Sequence, residues 1–198
     1  MFAANGRMPR GEQVLQIGKI EEAEATGDIA DIYADIQRAM GIPFVPEVDK
    51  VLANAPNTLR GTWAAVDQIM LKSSLPAALS SMILYSISSA NNCQYCAPMF
   101  KATCMSAGID NETLAALDRD LDGLSPVRVQ SIVKFAQKCA RDRAHLSDAD
   151  YESVRAQGVS EPEILEIIAL AALANFLNTI ADSLKLEIDH PIAQMLRA

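Results

Sequence analysis

Residues 167–176 are Ile, Ile, Ala, Leu, Ala, Ala, Leu, Ala, Asn and Phe, apolar on nearly every side of a helix. A helix of that kind is buried on most of its faces, so other elements must wall it in. Its small residues Ala169, Ala171, Ala172 and Ala174 let a neighbouring helix come close. That neighbour belongs either to the same chain or to a second subunit. A homo-oligomer is expected, because a single core of 198 residues need not cover the helix completely.

The rest of the chain carries the same period. Ile29, Ile32, Tyr33, Ile36 and Met40 recur at helical spacing from Asp28 until Gly41 stops them. A short helix is expected over 47–53. Pro56 then opens a helix over 57–72 with a buried stripe of Leu59, Val66, Ile69 and Met70 and with Trp63 packing. Further helices are expected over 76–90 and from Cys93 to about residue 107, where Gly108 caps the end, followed by a short one after Asp110. Ser125-Pro126 opens another, to about Arg143, and Ser147 caps a short one that Gly158 ends. Ser160 and Glu163 form a capping box that starts the last long helix, to about residue 186. No stretch alternates with period two for long. The expected fold is therefore all-α, a bundle of about seven to nine helices without a sheet. Residues 27–198 make one domain behind an N-terminal extension, 1–26.

The net charge of −8 argues against a nucleic-acid surface, which would want a basic stripe. The longest uncharged apolar stretch, 167–181, is shorter than the roughly 18–20 residues that span a bilayer, and Asn175 and Asn178 interrupt it, so no membrane is expected. The first residues lack the apolar run of a signal peptide. Four cysteines, three of them within twelve positions, do not make a secreted disulfide framework, so a cytoplasmic protein is expected. No dinucleotide fingerprint, phosphate loop or nucleophile elbow is present, and no cofactor is expected. Cys104 and Cys139 make no second knuckle to Cys93 and Cys96. His145 and His190 are not spaced as a ligand pair, so no metal is expected.

The chemistry is concentrated at Cys93-Gln94-Tyr95-Cys96, after the break Asn91-Asn92. With Asn92 as N-cap, both thiols fall in the first turn, where the helix dipole favours a thiolate. Residues three apart lie about 5–6 Å apart at Cβ, and a small tightening reaches the roughly 3.5–4.5 Å of a disulfide. The redox reading stands against a plainer one, two small buried hydrophobes. Cys104 lies on the same face two turns on. It is read as packing, since two turns span roughly 11–12 Å, too far to bridge.

These residues resemble the carboxymuconolactone decarboxylase and alkylhydroperoxidase D superfamily, and within it the peroxidase-related proteins. The likeness runs from about Ile29 to Leu186. It is carried by Met40-Gly41-Ile42-Pro43, by the helix ending in Ser88-Ser89-Ala90-Asn91-Asn92 before the two cysteines, by Ala107-Gly108-Ile109, Leu124-Ser125-Pro126 and Leu146-Ser147-Asp148, and by the closing apolar helix. The resemblance implies an all-helical fold assembled as trimers or hexamers. It also implies reduction of a small-molecule hydroperoxide at the expense of a thiol reductant, with Cys96 as the attacking thiolate and Cys93 as the resolving thiol.

The family pattern places a glutamate twelve residues before the first cysteine and a histidine four after the second. Those positions hold Ser81 and Phe100, and Met99 also lacks a histidine. Neither replacement acts as a base near neutral pH, so weak peroxidase activity is expected. Lys101 would help only by folding back, and Tyr85 and Tyr95 are candidate donors to a leaving hydroxide. The alternative function is a non-catalytic helical oligomer or small-molecule binding protein that keeps the fold. Lactone decarboxylation, implied by the superfamily name alone, ranks last because no residue supplies its base.

Overall fold

The computed structural model describes residues 17–197. They form ten α-helices and no strand. In chain order these are α1 (Asp28–Met40), α2 (Glu47–Leu52), α3 (Pro56–Ala65), α4 (Ala77–Ala90), α5 (Cys96–Ser106), α6 (Asn111–Arg119), α7 (Val127–Arg141), α8 (Asp148–Arg155), α9 (Glu161–Leu184) and α10 (His190–Met195). The all-α class is as expected, with one helix more. Residues 190–195, beyond the last helix expected from the sequence, form α10, with Pro191 in its first turn. Its six residues are too few to display a period.

Two of the sequence boundaries move. The helix expected over 57–72 is α only through Ala65 and becomes a π-helix over Val66–Leu71. That wider turn leaves Val66, Ile69 and Met70 half-buried rather than in a closed stripe. The cysteine helix starts at Cys96, not beside Asn92, which takes a left-handed conformation at φ 57°. The chain there turns sharply between α4 and α5 instead of capping a helix.

Ile83, Leu84 and Ile87 of α4, Ile132 and Val133 of α7, and Ile167 and Leu170 of α9 are fully buried and form the main core. A smaller cluster joins Tyr33 and Ile36 of α1 to Val45, Leu59 and Trp63, whose indole N–H donates to Asp35 at 2.7 Å. Residues 1–16 of the proposed extension lie outside the described residues. From residue 17 the chain runs against α1 and α2: the Ile20 N–H donates to the Lys50 carbonyl, and the Tyr33 hydroxyl donates to the Ile20 carbonyl at 2.8 Å.

α9 behaves as its composition requires. Ile164, Ile167, Leu170, Ala171, Leu173 and Ala174 are buried against α4 and α7, while Leu165 and Phe176 stand exposed. Its 24 residues are long and apolar enough to cross a membrane by length and composition alone, more than the uncharged stretch suggested. Here the helix serves as the central element of the bundle.

Its two asparagines explain why it sits in one register. Asn91 at the end of α4 donates to both Asn175 and Asn178 at 2.9 Å, Asn178 donates to Ser88 at 2.9 Å, and Asn175 donates to the Ala140 carbonyl of α7 at 2.8 Å. A buried polar network of this kind is costly if any partner is lost. Asn178→Ala should cost about 1–3 kcal/mol in denaturant unfolding. Thr179→Ala on the exposed face should change stability by less than about 0.5 kcal/mol.

Candidate active site

The α4–α5 turn determines the thiol geometry. α4 ends at Ala90, the left-handed Asn92 reverses the chain, and the Cys93 N–H donates to the Ser88 carbonyl at 3.0 Å. Cys93 thus lies just outside the helix and Cys96 is its first residue. The Cys93 sulfur accepts the Cys96 N–H at 3.3 Å, doing for α5 what an N-cap oxygen does elsewhere. Both thiols are free and buried.

The two sulfurs are unequal. The hydrogen bond from the Cys96 thiol holds Cys93 below the ordinary thiol range, helped by the backbone N–H groups of Cys96 and Tyr95 and opposed by burial and Asp182. Cys96 is pushed far up, first by Cys93 and then by burial. Of the two thiols, Cys93 is the one that loses its proton more readily. The sequence reading assigned the lowered thiol by dipole alone. The structure adds that the donors of that helix end converge on the first sulfur.

Cys96 lines a pocket of roughly 620 Å³, counting its open mouth, whose walls include Trp63, Met70, Met99, Phe100 and Leu177. Phe100 lines this cavity as the sequence implied. Ser81 is buried on α4 and is not part of the lining. Neither residue restores a relay. Lys101 points elsewhere, with its ammonium 3.8 Å from Asp118 and over the Tyr85 ring. Tyr85 keeps its proton through burial and Asp118. Cys104 is sealed in the core and burial pushes its thiol up to about 12. Cys139 is likewise pushed up to about 11 by burial. Among the described residues no group of three or more His, Cys, Asp or Glu side chains could hold a metal.

Of the polar part of the site, sequence reasoning reached only Tyr95 and missed Asp49, Thr62 and Asp189. Tyr95, in the lining, donates its hydroxyl to Asp189 at 2.7 Å, and Asp189 also accepts the Glu47 N–H at 2.9 Å. Asp49 of α2 and Thr62 of α3 face the same cavity. Asp49 had a signal: it falls between Val45 and Leu52 at offsets of four and three, an acid on an apolar stripe. Asp189 had none, since only the fold brings it to Tyr95.

Comparison with known proteins adds a family likeness over part of the chain and a fold. The carboxymuconolactone decarboxylase family matches residues 56–119, the span from the start of α3 to the end of α6 that contains both thiols. A crystal structure of an alkylhydroperoxidase AhpD core, an uncharacterised peroxidase-related protein from Ralstonia eutropha JMP134, superposes with a TM-score of 0.80 at 26% identity, covering 90% of this chain and 94% of that one. An uncharacterised peroxidase-related protein from Silicibacter sp. TM1040 gives 0.79 at 23% identity, covering 93% and 97%. A variant of the debrominase Bmp8 in complex with 2,3,4-tribromopyrrole gives 0.78 at 18% identity, covering 93% and 97%. The last two are likenesses of fold. No curated protein matches the chain in sequence. The family match and the fold bear out the superfamily resemblance carried by the motifs.

The unequal thiols have a direct signature. The wild-type chain should lose its first thiol proton below the ordinary thiol range when followed by ultraviolet thiolate absorbance. The Cys93→Ser variant should show no such early titration, because burial pushes Cys104 and Cys139 up and still acts on Cys96 once Cys93 is gone. An equally early titration in Cys93→Ser would place the charge on another sulfur.

Proposed function

With the chain placed in the carboxymuconolactone decarboxylase and alkylhydroperoxidase D superfamily, we propose that it is a thiol-dependent reductase of organic hydroperoxides. The observation that carries this reading is the arrangement of Cys96 on the wall of an apolar cavity with the Cys93 sulfur directly behind it.

The reaction starts with a proton passing from Cys96 to Cys93 within the pair, which exposes the Cys96 thiolate to the cavity. That thiolate attacks the distal peroxide oxygen and the O–O bond breaks. The sulfur becomes a sulfenic acid and an alkoxide leaves. The Cys93 thiol displaces hydroxide from Cys96, its proton completes a water molecule, and a disulfide remains. A thiol reductant returns the pair to its starting state. The apolar walls favour an organic hydroperoxide over hydrogen peroxide. The positions where relatives hold a glutamate and a histidine carry Ser81 and Phe100, so the rate depends on what else transfers the proton.

The experiment is turnover of cumene hydroperoxide with a dithiol reductant. Cys96→Ser should abolish it, and Cys93→Ser should allow one slowed turnover and then stop, because the sulfur that takes the Cys96 proton is lost together with the resolving thiol. The same pocket favours a second reading, a binding protein for a small apolar molecule. Ligand binding without cysteine-dependent turnover would select it.

The exposed Leu165 and Phe176 on α9 support a further part of the proposal, assembly into a homo-oligomer larger than a dimer, with trimers or hexamers as the superfamily implies. A cytoplasmic setting, which would supply the reductant, belongs to the same proposal. Sedimentation equilibrium should give a mass well above the 21.4 kDa chain. A concentration-independent monomer would contradict it.

A further inference from the structure

The cavity in front of Cys96 has a polar corner that the thiol chemistry alone does not use. Asp49 is only 8% exposed, and what acts on its carboxyl group is burial and the Asp189 charge, with no hydrogen bond among the causes of its shift. Thr62 is 3% exposed, and its hydroxyl is buried without a partner. Both line the same apolar pocket as Cys96. A buried hydroxyl left unpaired, beside a largely buried carboxyl in the same cavity, is expensive. The arrangement becomes economical once a ligand with a polar atom enters.

We propose that Asp49 is the proton donor of this site: its carboxylic acid gives a proton to the alkoxide released when an organic hydroperoxide passes its distal oxygen to Cys96, and the Thr62 hydroxyl binds that departing oxygen. The proposal rests on the thiol-peroxidase reading and supplies the proton transfer that Ser81 and Phe100 cannot. The balance is complete. Cys96 thiolate and ROOH give Cys96 sulfenic acid and RO⁻, with sulfur oxidised and the peroxide reduced by two electrons. RO⁻ and the Asp49 acid give ROH and the Asp49 carboxylate. Solvent reprotonates Asp49 through the pocket mouth before the next turnover.

The surroundings keep Asp49 in the form this role needs. Burial, with the Asp189 charge adding to it, raises its carboxyl to about 7. The titratable groups that face it are Asp189 from the segment before α10, Tyr95 from the turn before α5, Tyr33 of α1 and Cys96 across the cavity. Both tyrosines are held neutral by burial first and by nearby carboxylates second. The nearest lysine on its own helix, Lys50, pairs with Glu21 and Glu47. Among the described residues no cation is left to hold Asp49 ionised.

The test compares two electrophiles that both react at Cys96. Cumene hydroperoxide releases an alkoxide that needs a proton, whereas iodoacetamide releases iodide, which needs none. In Asp49→Asn, peroxide reduction should fall roughly 10²-fold or more, the usual worth of a positioned acid, while alkylation of Cys96 changes by less than about threefold. Equal loss on both electrophiles makes Asp49 a structural residue and overturns the proposal, and so does no loss on either. A wild-type chain that alkylates at Cys96 but consumes no hydroperoxide overturns the peroxidase reading first and this one with it.

The variant is expected to fold. The Asp49 carboxyl has a folded value raised above its unfolded one, so its contribution is present at low pH and lost as pH rises through about 7. The amide escapes that loss. Should Asp49→Asn fail to fold, the wild-type protein still decides. Its ratio of peroxide reduction to Cys96 alkylation should drop as pH rises through about 7, and a flat ratio overturns the proposal.

Discussion

A thiolate removed from water survives only if dipoles replace the water. At Cys93 the available dipoles are the N–H groups of the first residues of α5 and the thiol of Cys96. Much of the surrounding structure follows from that requirement. α5 must begin at Cys96, so the chain must reverse between the two helices, and Asn92 accepts a left-handed conformation to allow it. α4 must end where Asn91 can reach α9. The Asn91–Asn175–Asn178–Ser88 hydrogen bonds then fix α9 in the one register that brings Asn178 beside Cys96. Helix starts, turn strain and core packing are coupled at this point, which lies within the family-matched span.

The two sulfurs divide the work by position. Cys93 receives the donors and is shielded from the cavity; Cys96 lines the cavity and is the thiol whose pKa is pushed up. A nucleophile with a raised pKa is a weak one unless its proton has a nearby destination, and in the proposed mechanism the Cys93 sulfur is that destination. The apolar walls set by Phe100, Trp63 and the π-helical stretch make that exchange more sensitive to the few polar groups that remain. Wide π turns recur beside functional sites. Here Val66 and Met70 are turned toward the cavity by one.

The helices were legible because their signals are local. Gly41 at φ 65°, the Ser160–Glu163 capping box and the apolar run of α9 each act within a few residues of themselves. α10 was missed because six residues show no period, and the π-helix was missed because hydrophobic spacing does not distinguish it from a longer α-helix. The thiol pair was legible from its spacing. The inequality of the two sulfurs was not, since it depends on where the helix begins by a margin of three residues. Asp49 could have been noticed as a charge on an apolar stripe. The approach of Asp189 to Tyr95 spans 94 residues and had no trace in the sequence.

The central claim is that Cys96 takes the peroxide oxygen and Cys93 closes the disulfide. It is tested most directly by removing the second step. The Cys93→Ser protein, given one equivalent of organic hydroperoxide and then a sulfenic-acid trapping dione, should carry the label on Cys96 when its peptides are mapped by mass. A label on Cys104 or Cys139, or no label while hydroperoxide is consumed, would contradict the account.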